Sequence, residues 1–141
     1  MILLDTCVIS EFAKPSPDPA VLAWMERVSD DSLRLSVLTL GEIQKGADLL
    51  DPGPRKARVD AWLGELRASF ADRILPVDEA VALHWGTISA IGRRSGRARP
   101  PIDALLAATA VCHQLTLATR NVADFEGTGA VVVNPWDATP G

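Results

Sequence analysis

Four acidic residues of this sequence stand where one kind of chain segment gives way to another. Asp5 directly follows the apolar run Ile2-Leu3-Leu4, Glu42 and Asp103 lie near the starts of predicted helices, and Asp124 follows a predicted strand. Carboxylates that converge in a fold raise each other's pKa, so a fold tolerates such a cluster mainly when a cation occupies it. Ligands that are all oxygen favour Mg²⁺ or Mn²⁺. A dication held there would neutralise a phosphodiester and activate a water molecule, so the residue types predict metal-assisted hydrolysis.

Each acidic residue also has a purely structural interpretation. Asp5 or Thr6 can cap the helix that follows the first strand. The pattern Thr39-x-x-Glu42 matches a capping box, in which the two side chains satisfy the first amides of a helix. Asp103, in the first turn after Pro101, is favoured by the helix dipole. The case for a site therefore depends on convergence, which requires the first and fourth strands to be neighbours.

Other kinds of chemistry find little support in the sequence. His84 and His113 do not adjoin the acidic positions, so a zinc site is not expected. Cys7 and Cys112 are too few for a disulfide framework and lack metal-site spacing. No serine nucleophile motif and no glycine-rich phosphate loop is present. The formal net charge of -4 is not typical of a nucleic-acid-binding domain, although local basic patches can still contact phosphates.

The elements that must position these residues alternate between strands and helices. Apolar runs and breakers predict strands at 2–4, 33–37, 74–77, 115–119 and 131–133, and helices at 8–13, from 19, at 39–50, at 55–70, after Asp78 and from Pro101 to Gln114. This order is typical of an α/β protein. We expect one domain over residues 1–141, a three-layer α/β/α sandwich on a mainly parallel sheet of about five strands.

Two finer features of this fold follow from the same pattern. The helices between the second and third strands predict a helical clip on one side, and Pro76 favours an edge position for the third strand.

The longest apolar stretch, Ala104 to Cys112, is shorter than the ~20 residues that cross a bilayer. We therefore expect a cytoplasmic protein without a membrane partner.

Four segments of the chain resemble PIN-domain ribonucleases, specifically the VapC-type toxins of type II toxin–antitoxin systems in their FitB-like branch. They occur in the family's order, span essentially the whole chain, and are Leu4 to Glu11, Ser36 to Ile43, Pro101 to Ala110 and Leu117 to Phe125. The resemblance implies a Mg²⁺-dependent endoribonuclease toxin that hydrolyses RNA with a metal-activated water. It also implies a homodimer that a cognate antitoxin protein neutralises in a hetero-oligomer.

The resemblance also assigns roles to the acidic residues. Asp5 and Asp103 are the expected principal metal ligands, and Glu42 is expected to complete the ligand set or to orient the attacking water. The fourth catalytic position is less simple, because many relatives carry Asp where this chain has Asn121. Asp124 is then the available carboxylate, and the presence of a second metal ion is open.

The same resemblance also concerns several neighbours of the acidic residues. Thr6 and Thr119, together with Asn121, are expected to support the ligand carboxylates by hydrogen bonds. Cys7 stands where many relatives have Asn, which we interpret as tolerated variation.

A run of arginines directly precedes the segment that contains Asp103. A basic loop of this kind is ordinarily just a solvated surface. Its position beside an otherwise anionic pocket nevertheless makes its arginines candidates for gripping RNA phosphates, and they are Arg93, Arg94, Arg97 and Arg99.

Two alternative functions stay open on the sequence alone. A catalytically silent module that kept the fold for partner binding is favoured by Asn121. A phosphoacceptor signalling domain also places carboxylates at strand ends, but it needs an acidic pair after the first strand and a Lys near the last. Here Asp5 is followed by Thr6 and the last strand has no Lys, so this alternative is the weakest.

Overall fold

A computed structural model of the chain describes residues 1–137, which form a five-stranded parallel sheet with helices on both faces. The strands are β1 (Ile2–Leu4), β2 (Leu33–Ser36), β3 (Ile74–Leu75), β4 (Thr116–Ala118) and β5 (Val131–Val133). Their order in the sheet is β3-β2-β1-β4-β5, and all four neighbouring pairs are parallel. The predicted α/β class and strand number are therefore confirmed.

Six α-helices and three short 3-10 helices connect the strands within the described residues. The α-helices are α1 (Thr6–Glu11), α2 (Pro19–Arg27), α3 (Val37–Asp48), α4 (Pro54–Ser69), α5 (Glu79–Arg94) and α6 (Pro101–Cys112). The 3-10 helices are Asp30–Ser32, Val122–Phe125 and Pro135–Asp137.

The helices form two layers because successive strand residues point to opposite faces of the sheet. Leu3 of β1 packs into a buried cluster with residues of α5 and α6. Its neighbour Leu4 packs into a second cluster with residues of α1, α2, α3 and α4. Both leucines are fully buried, as expected for a strand covered on both sides. This arrangement confirms the predicted three-layer sandwich.

The clip, the edge strand and the central helix also match expectation. Helices α3 and α4 lie between β2 and β3 in the chain and pack against each other as the predicted clip. Strand β3 is at one edge of the sheet, next to Pro76. Helix α6 is apolar on nearly all sides and contributes many fully buried residues. In residues 1–137 no helix combines the length and apolar character that a membrane crossing needs.

The structure corrects the predicted start of α3. This helix begins at Val37, and Ser36 is its N-cap, with the serine hydroxyl accepting a hydrogen bond of 3.0 Å from the Leu38 amide. Thr39 is therefore inside the helix and Glu42 is in its second turn, so the capping-box interpretation of Thr39-x-x-Glu42 is wrong. The last strand residue and the cap are the same serine, which a strand pattern followed by Thr39 does not reveal.

The strand order creates a crevice between β1 and β4. From β1 the chain builds β2 and β3 outward on one side, and it then crosses over to build β4 and β5 on the other. In open α/β sheets such a reversal separates the loops at the carboxyl ends of the strands and leaves room for a ligand. Asp5 follows β1 and Thr119 follows β4, and the Asp5 amide donates a 2.9 Å hydrogen bond to the Ala118 carbonyl. The two residues thus lie side by side at the switch point.

Candidate active site

Asp5 is held in one orientation at the head of α1. It is the N-cap of that helix, and its Oδ1 accepts a 2.7 Å hydrogen bond from the Thr6 amide. Its Oδ2 accepts a second bond of 2.7 Å from the hydroxyl of Thr119. Hydrogen bonds to an ionised carboxylate are strong and favour the charged form. The capping role and the predicted site role of Asp5 are therefore compatible, because both oxygens are fixed by donors beside the crevice.

Thr119 links the two central strands at the crevice. Its side chain is fully buried, and its hydroxyl donates to Asp5 while it accepts a 3.1 Å hydrogen bond from the Asn121 amide. Its own amide donates to the Val133 carbonyl at 3.0 Å, which extends the pairing of β4 with β5. Thr119 therefore has the position that its expected supporting role requires.

Glu42 reaches the same region from α3. Its Oε1 accepts a 2.7 Å hydrogen bond from the hydroxyl of Thr6. The Thr6 hydroxyl also lies 3.3 Å from Oγ1 of Thr39, which is fully buried. Thr6 thus joins the segment of Asp5 to the helix of Glu42. Thr39 takes part in this contact, whereas the sequence pattern predicted only a helix-capping role for it.

Asp103 brings a third carboxylate to this region from α6. It lies half-buried in the first turn of α6, and no described residue donates a hydrogen bond to its carboxylate. Burial raises the pKa of Asp103, and the negative charges of Asp124, Asp5 and Glu42 raise this pKa further. The structure therefore brings Asp5, Glu42 and Asp124 within electrostatic reach of Asp103.

The acidic side chains of residues 1–137 offer oxygen donors but no ready-made cage for a metal ion. Within residues 1–137, no group of three or more His, Cys, Asp or Glu side chains is arranged so that it could hold a metal ion. Mg²⁺ usually keeps several waters and binds through one or two carboxylates. The carboxylate of Asp103 has no hydrogen-bond donor among the described residues, so it is the natural first contact for such an ion. His84 contacts the Ala80 carbonyl of its own helix at 2.9 Å instead.

Cys7 is a neighbour of the site that sequence reasoning treats as incidental. Its Sγ lies 3.7 Å from Oδ2 of Asp5, 3.7 Å from Oγ1 of Thr119, and accepts a 3.5 Å hydrogen bond from the Arg120 amide. Burial, and after it the nearby charge of Asp5, raise the pKa of the Cys7 thiol. The thiol therefore stays protonated at neutral pH and is a weak donor to the Asp5 carboxylate. The position of Cys7 two residues after Asp5 is the sequence feature that could have indicated this contact.

The fourth acidic position lies on the short 3-10 helix Val122–Phe125. Asp124 is exposed there, and its charge contributes to the raised pKa of Asp103. Asn121 precedes this helix, is exposed, and contacts Thr119 through its backbone amide rather than through its side chain. Of these two residues, Asp124 is the one whose charge acts on the site.

The four arginines of the basic run separate into two pairs. Arg93 and Arg94 are exposed in the last turn of α5. Arg97 and Arg99 instead turn back onto residues 123–126, where their guanidinium groups donate to backbone carbonyls. RNA contact by any of the four stays a prediction.

An open cleft of about 410 Å³ adjoins the acidic group. It is lined by Glu42 on one side and by Ile102, the residue before Asp103, on the other. Lys45 adds a positive charge to its wall. Glu42 is therefore accessible to a solute in this cleft.

Comparison with known proteins places this arrangement in a family. The chain is 38% identical over 138 residues to VapC ribonuclease Y4jK of Sinorhizobium fredii, covering 97% of this chain and 99% of that protein. It is 39% identical over 137 residues to toxin FitB of Neisseria gonorrhoeae, covering 96% and 99%.

Solved structures agree with these sequence matches. FitAB bound to an IR36 DNA fragment contains a chain that superimposes with a TM-score of 0.91 at 36% identity, covering 99% of both chains. VapBC-5 of Mycobacterium tuberculosis, from the VapBC family of toxin–antitoxin systems, matches with a TM-score of 0.67 at 27% identity, covering 94% of both chains. The PIN domain profile matches residues 2–129, so this chain belongs to the PIN domain family.

Proposed function

We propose that the chain is a Mg²⁺-dependent endoribonuclease that acts as the toxin of a type II toxin–antitoxin pair. The observation that carries the proposal is Asp103, a half-buried carboxylate whose pKa is raised by three other carboxylates and which has no hydrogen-bond donor among residues 1–137. A bound dication compensates such an arrangement, and Mn²⁺ would serve as well as Mg²⁺. The names of the relatives, a ribonuclease and a toxin, support the same class of activity.

The residues divide the work of binding and orientation. Asp103 and Asp5 would hold the ion, which when bound neutralises a phosphodiester and lowers the pKa of a water, and Glu42 would orient that water. The hydroxyl of Thr119 fixes the rotamer of Asp5 by its 2.7 Å bond, and that of Thr6 fixes Glu42 by another of 2.7 Å. Their donation fixes the orientation of both carboxylates before substrate arrives.

Asp124 completes the arrangement on its solvent side. Its side chain is exposed, and no described residue bonds to its carboxylate. It can therefore accept the proton that the attacking water loses. The proposed substrate is RNA, in line with the ribonuclease name of a relative, and this polyanion can approach clustered carboxylates only when a cation is present.

The partners of the chain follow from the family. We infer that a cognate antitoxin neutralises it, as in the toxin–antitoxin assemblies of its structural relatives. Leu83 and Ile91 on α5 are 66% and 54% exposed, and a homodimer would bury such side chains. The toxin–antitoxin complex is then a hetero-oligomer of the cytoplasm.

The test uses purified protein freed of antitoxin, an RNA pool and Mg²⁺. We expect cleavage by the native chain and none by Asp5→Asn or Asp103→Asn, with growth arrest on induction lost in parallel. Asp51→Asn, which changes an exposed loop carboxylate, is the matched control and keeps full activity. Native protein that cuts no RNA and binds neither Mg²⁺ nor Mn²⁺ would refute the proposal.

A catalytically silent interaction module is the second candidate. It is favoured by Asn121 and by the lack, in the described part of the chain, of a ready-made group of three metal-binding side chains. In that case growth arrest, if any, survives the Asp5→Asn change. The same pair of strains therefore separates the two functions.

A further inference from the structure

The short segment that carries Asp124 has little intrinsic stability. Residues Val122–Phe125 form a single 3-10 helix, an element whose hydrogen-bond geometry is poorer than that of an α-helix. At its two ends the Asp124 amide lies 3.0 Å from the Asn121 carbonyl and the Glu126 amide lies 3.4 Å from the Ala123 carbonyl, the second a long hydrogen bond. Phe125 anchors one side because it is 2% exposed and packs in the core. Asp124 lies on the other side, in solvent.

Two arginines supply the missing support on that exposed side. Arg99 donates from Nη1 to the Asp124 carbonyl at 2.8 Å and from Nη2 to the Glu126 carbonyl. Arg97 donates from Nη2 to the Ala123 carbonyl. The Arg97 guanidinium also lies 3.5 Å from the carboxylate of Glu126. Side chains from another loop thus donate hydrogen bonds to the carbonyls at the end of this helix. Cationic side chains commonly have this role at the carboxyl ends of helices.

A tight turn after α5 directs these two arginines toward residues 123–126. After α5 ends, the Arg97 amide donates a 2.7 Å hydrogen bond to the Gly92 carbonyl. A Cβ on Gly92 would lie 2.7 Å from the Arg97 carbonyl oxygen, so no other residue fits without a backbone shift. Gly96 completes the turn with a φ of 75°. On the receiving side, a Cβ on Gly127 would approach Nη2 of Arg99 to 3.1 Å.

We propose that Arg97 and Arg99 are positioning residues that fix Asp124 in the acidic site by holding residues 123–126. The inference rests on the proposed nuclease function. The same loop runs through Pro100 directly into α6, whose first turn carries Asp103. One segment therefore sets both acidic residues relative to each other. Arg97 and Arg99 are in this respect unlike Arg93 and Arg94, whose exposed position suits contact with phosphate.

The kinetic test compares two double variants, Arg97→Met/Arg99→Met and Arg93→Met/Arg94→Met, with Arg67→Met as an exposed control on α4. Positioning predicts that the first variant loses about tenfold to 100-fold in kcat with little change in KM. Phosphate binding predicts a raised KM and a salt dependence shallower by about 0.7 for each phosphate that an arginine no longer neutralises. If Arg97→Met/Arg99→Met raises KM and flattens the salt dependence at constant kcat, the positioning role is wrong.

A double-mutant cycle with Asp124→Asn tests whether the arginines act through that residue. When they do, adding Arg97→Met/Arg99→Met to Asp124→Asn costs less than a further threefold in kcat, because the shared effect is already absent. Independent, multiplying reductions in kcat would overturn the proposal. The cycle requires an active native enzyme.

Amide hydrogen exchange tests the same interaction without any activity. In the antitoxin-free protein, Arg97→Met/Arg99→Met should speed exchange at Asp124, Glu126 and Thr128 by at least about tenfold, since local opening controls exchange there. Amides of β1 should be unaffected. Unchanged exchange at these three amides rejects the positioning role even if the protein is a nuclease. If exchange is faster but the protein cuts no RNA, the arginines do support residues 123–126 and it is the proposed nuclease function that is wrong.

Discussion

Removing one buried hydroxyl should disable the site while leaving the fold standing. Thr119→Val keeps the shape of the side chain and deletes the 2.7 Å bond to Asp5 and the acceptor of the Asn121 amide. A hydrogen bond to a charged group contributes about 1.5–3 kcal/mol, whereas the exposed Asn121 amide can turn to water at little cost. We therefore expect a stability loss of about 2 kcal/mol, which for a domain of this size lowers Tm by about 5–10 °C.

The effect on cleavage should be larger than the effect on stability. Without its donor the Asp5 carboxylate can rotate away from the crevice, and removal of such supporting bonds typically costs about 10–100-fold in activity or metal affinity. Cleavage of a fluorogenic RNA over a range of Mg²⁺ concentrations, at a temperature where each protein is folded, measures this effect.

Thr119→Ser is the matched control because it keeps the hydroxyl and removes one buried methyl group. It should lose about 1 kcal/mol of stability and yet cleave within about threefold of the native rate. If the valine variant cleaves as fast as the serine variant, Thr119 does not orient Asp5 and the reasoning fails.

Three further changes test the charges around the site and the fold. Asp103→Asn should abolish cleavage and raise the Tm of the metal-free protein, because it removes a half-buried charge that three carboxylates oppose; a lower Tm would contradict this. Mg²⁺ at about 100 times its Kd should stabilise the native chain by about 2.7 kcal/mol and leave this variant unchanged in thermal shift. Thr6→Val should slow cleavage by freeing Glu42, while Thr6→Ser preserves it. Glu11 has a lowered pKa because Lys14 hydrogen-bonds to it at 2.8 Å, so its contribution to stability is present above the unfolded pKa and is lost as pH falls through the folded value. The urea midpoint of Glu11→Gln should therefore lie below that of the native chain near pH 7 and meet it in acid; a constant gap would exclude this linkage.

The fold was predictable because its strands are short apolar runs with clear breakers. The run before Asp5 and the alternation around Leu35 specified buried strands, and Pro76 specified an edge. The boundaries were less so: Ser36 and Thr39 are both plausible caps, and the structure uses Ser36 because the strand is paired to that residue. Local propensity alone cannot choose between two hydroxyl residues three positions apart.

The clustering of the acidic residues was predictable from the sequence, whereas the contacts that support them were less so. Asp5 and Asp103 follow from residue type at element ends. The approach of Cys7 to Asp5 and Thr119 depends on the register of β1 with β4, which no local pattern encodes. The contact of Arg97 with the Ala123 carbonyl depends on a turn at Gly92, which the sequence does not reveal. From its charge alone, Arg97 was expected to bind phosphate.

The central pairing of the sheet also determines when the enzyme can exist during its own synthesis. Leu3 completes its pairing with Leu117 only when that much later residue has left the ribosome. Asp103, Thr119 and Asp124 emerge equally late, so a nascent chain carries Asp5 without the rest of the machinery. A chain that terminates before Asp103 therefore lacks the acidic cluster.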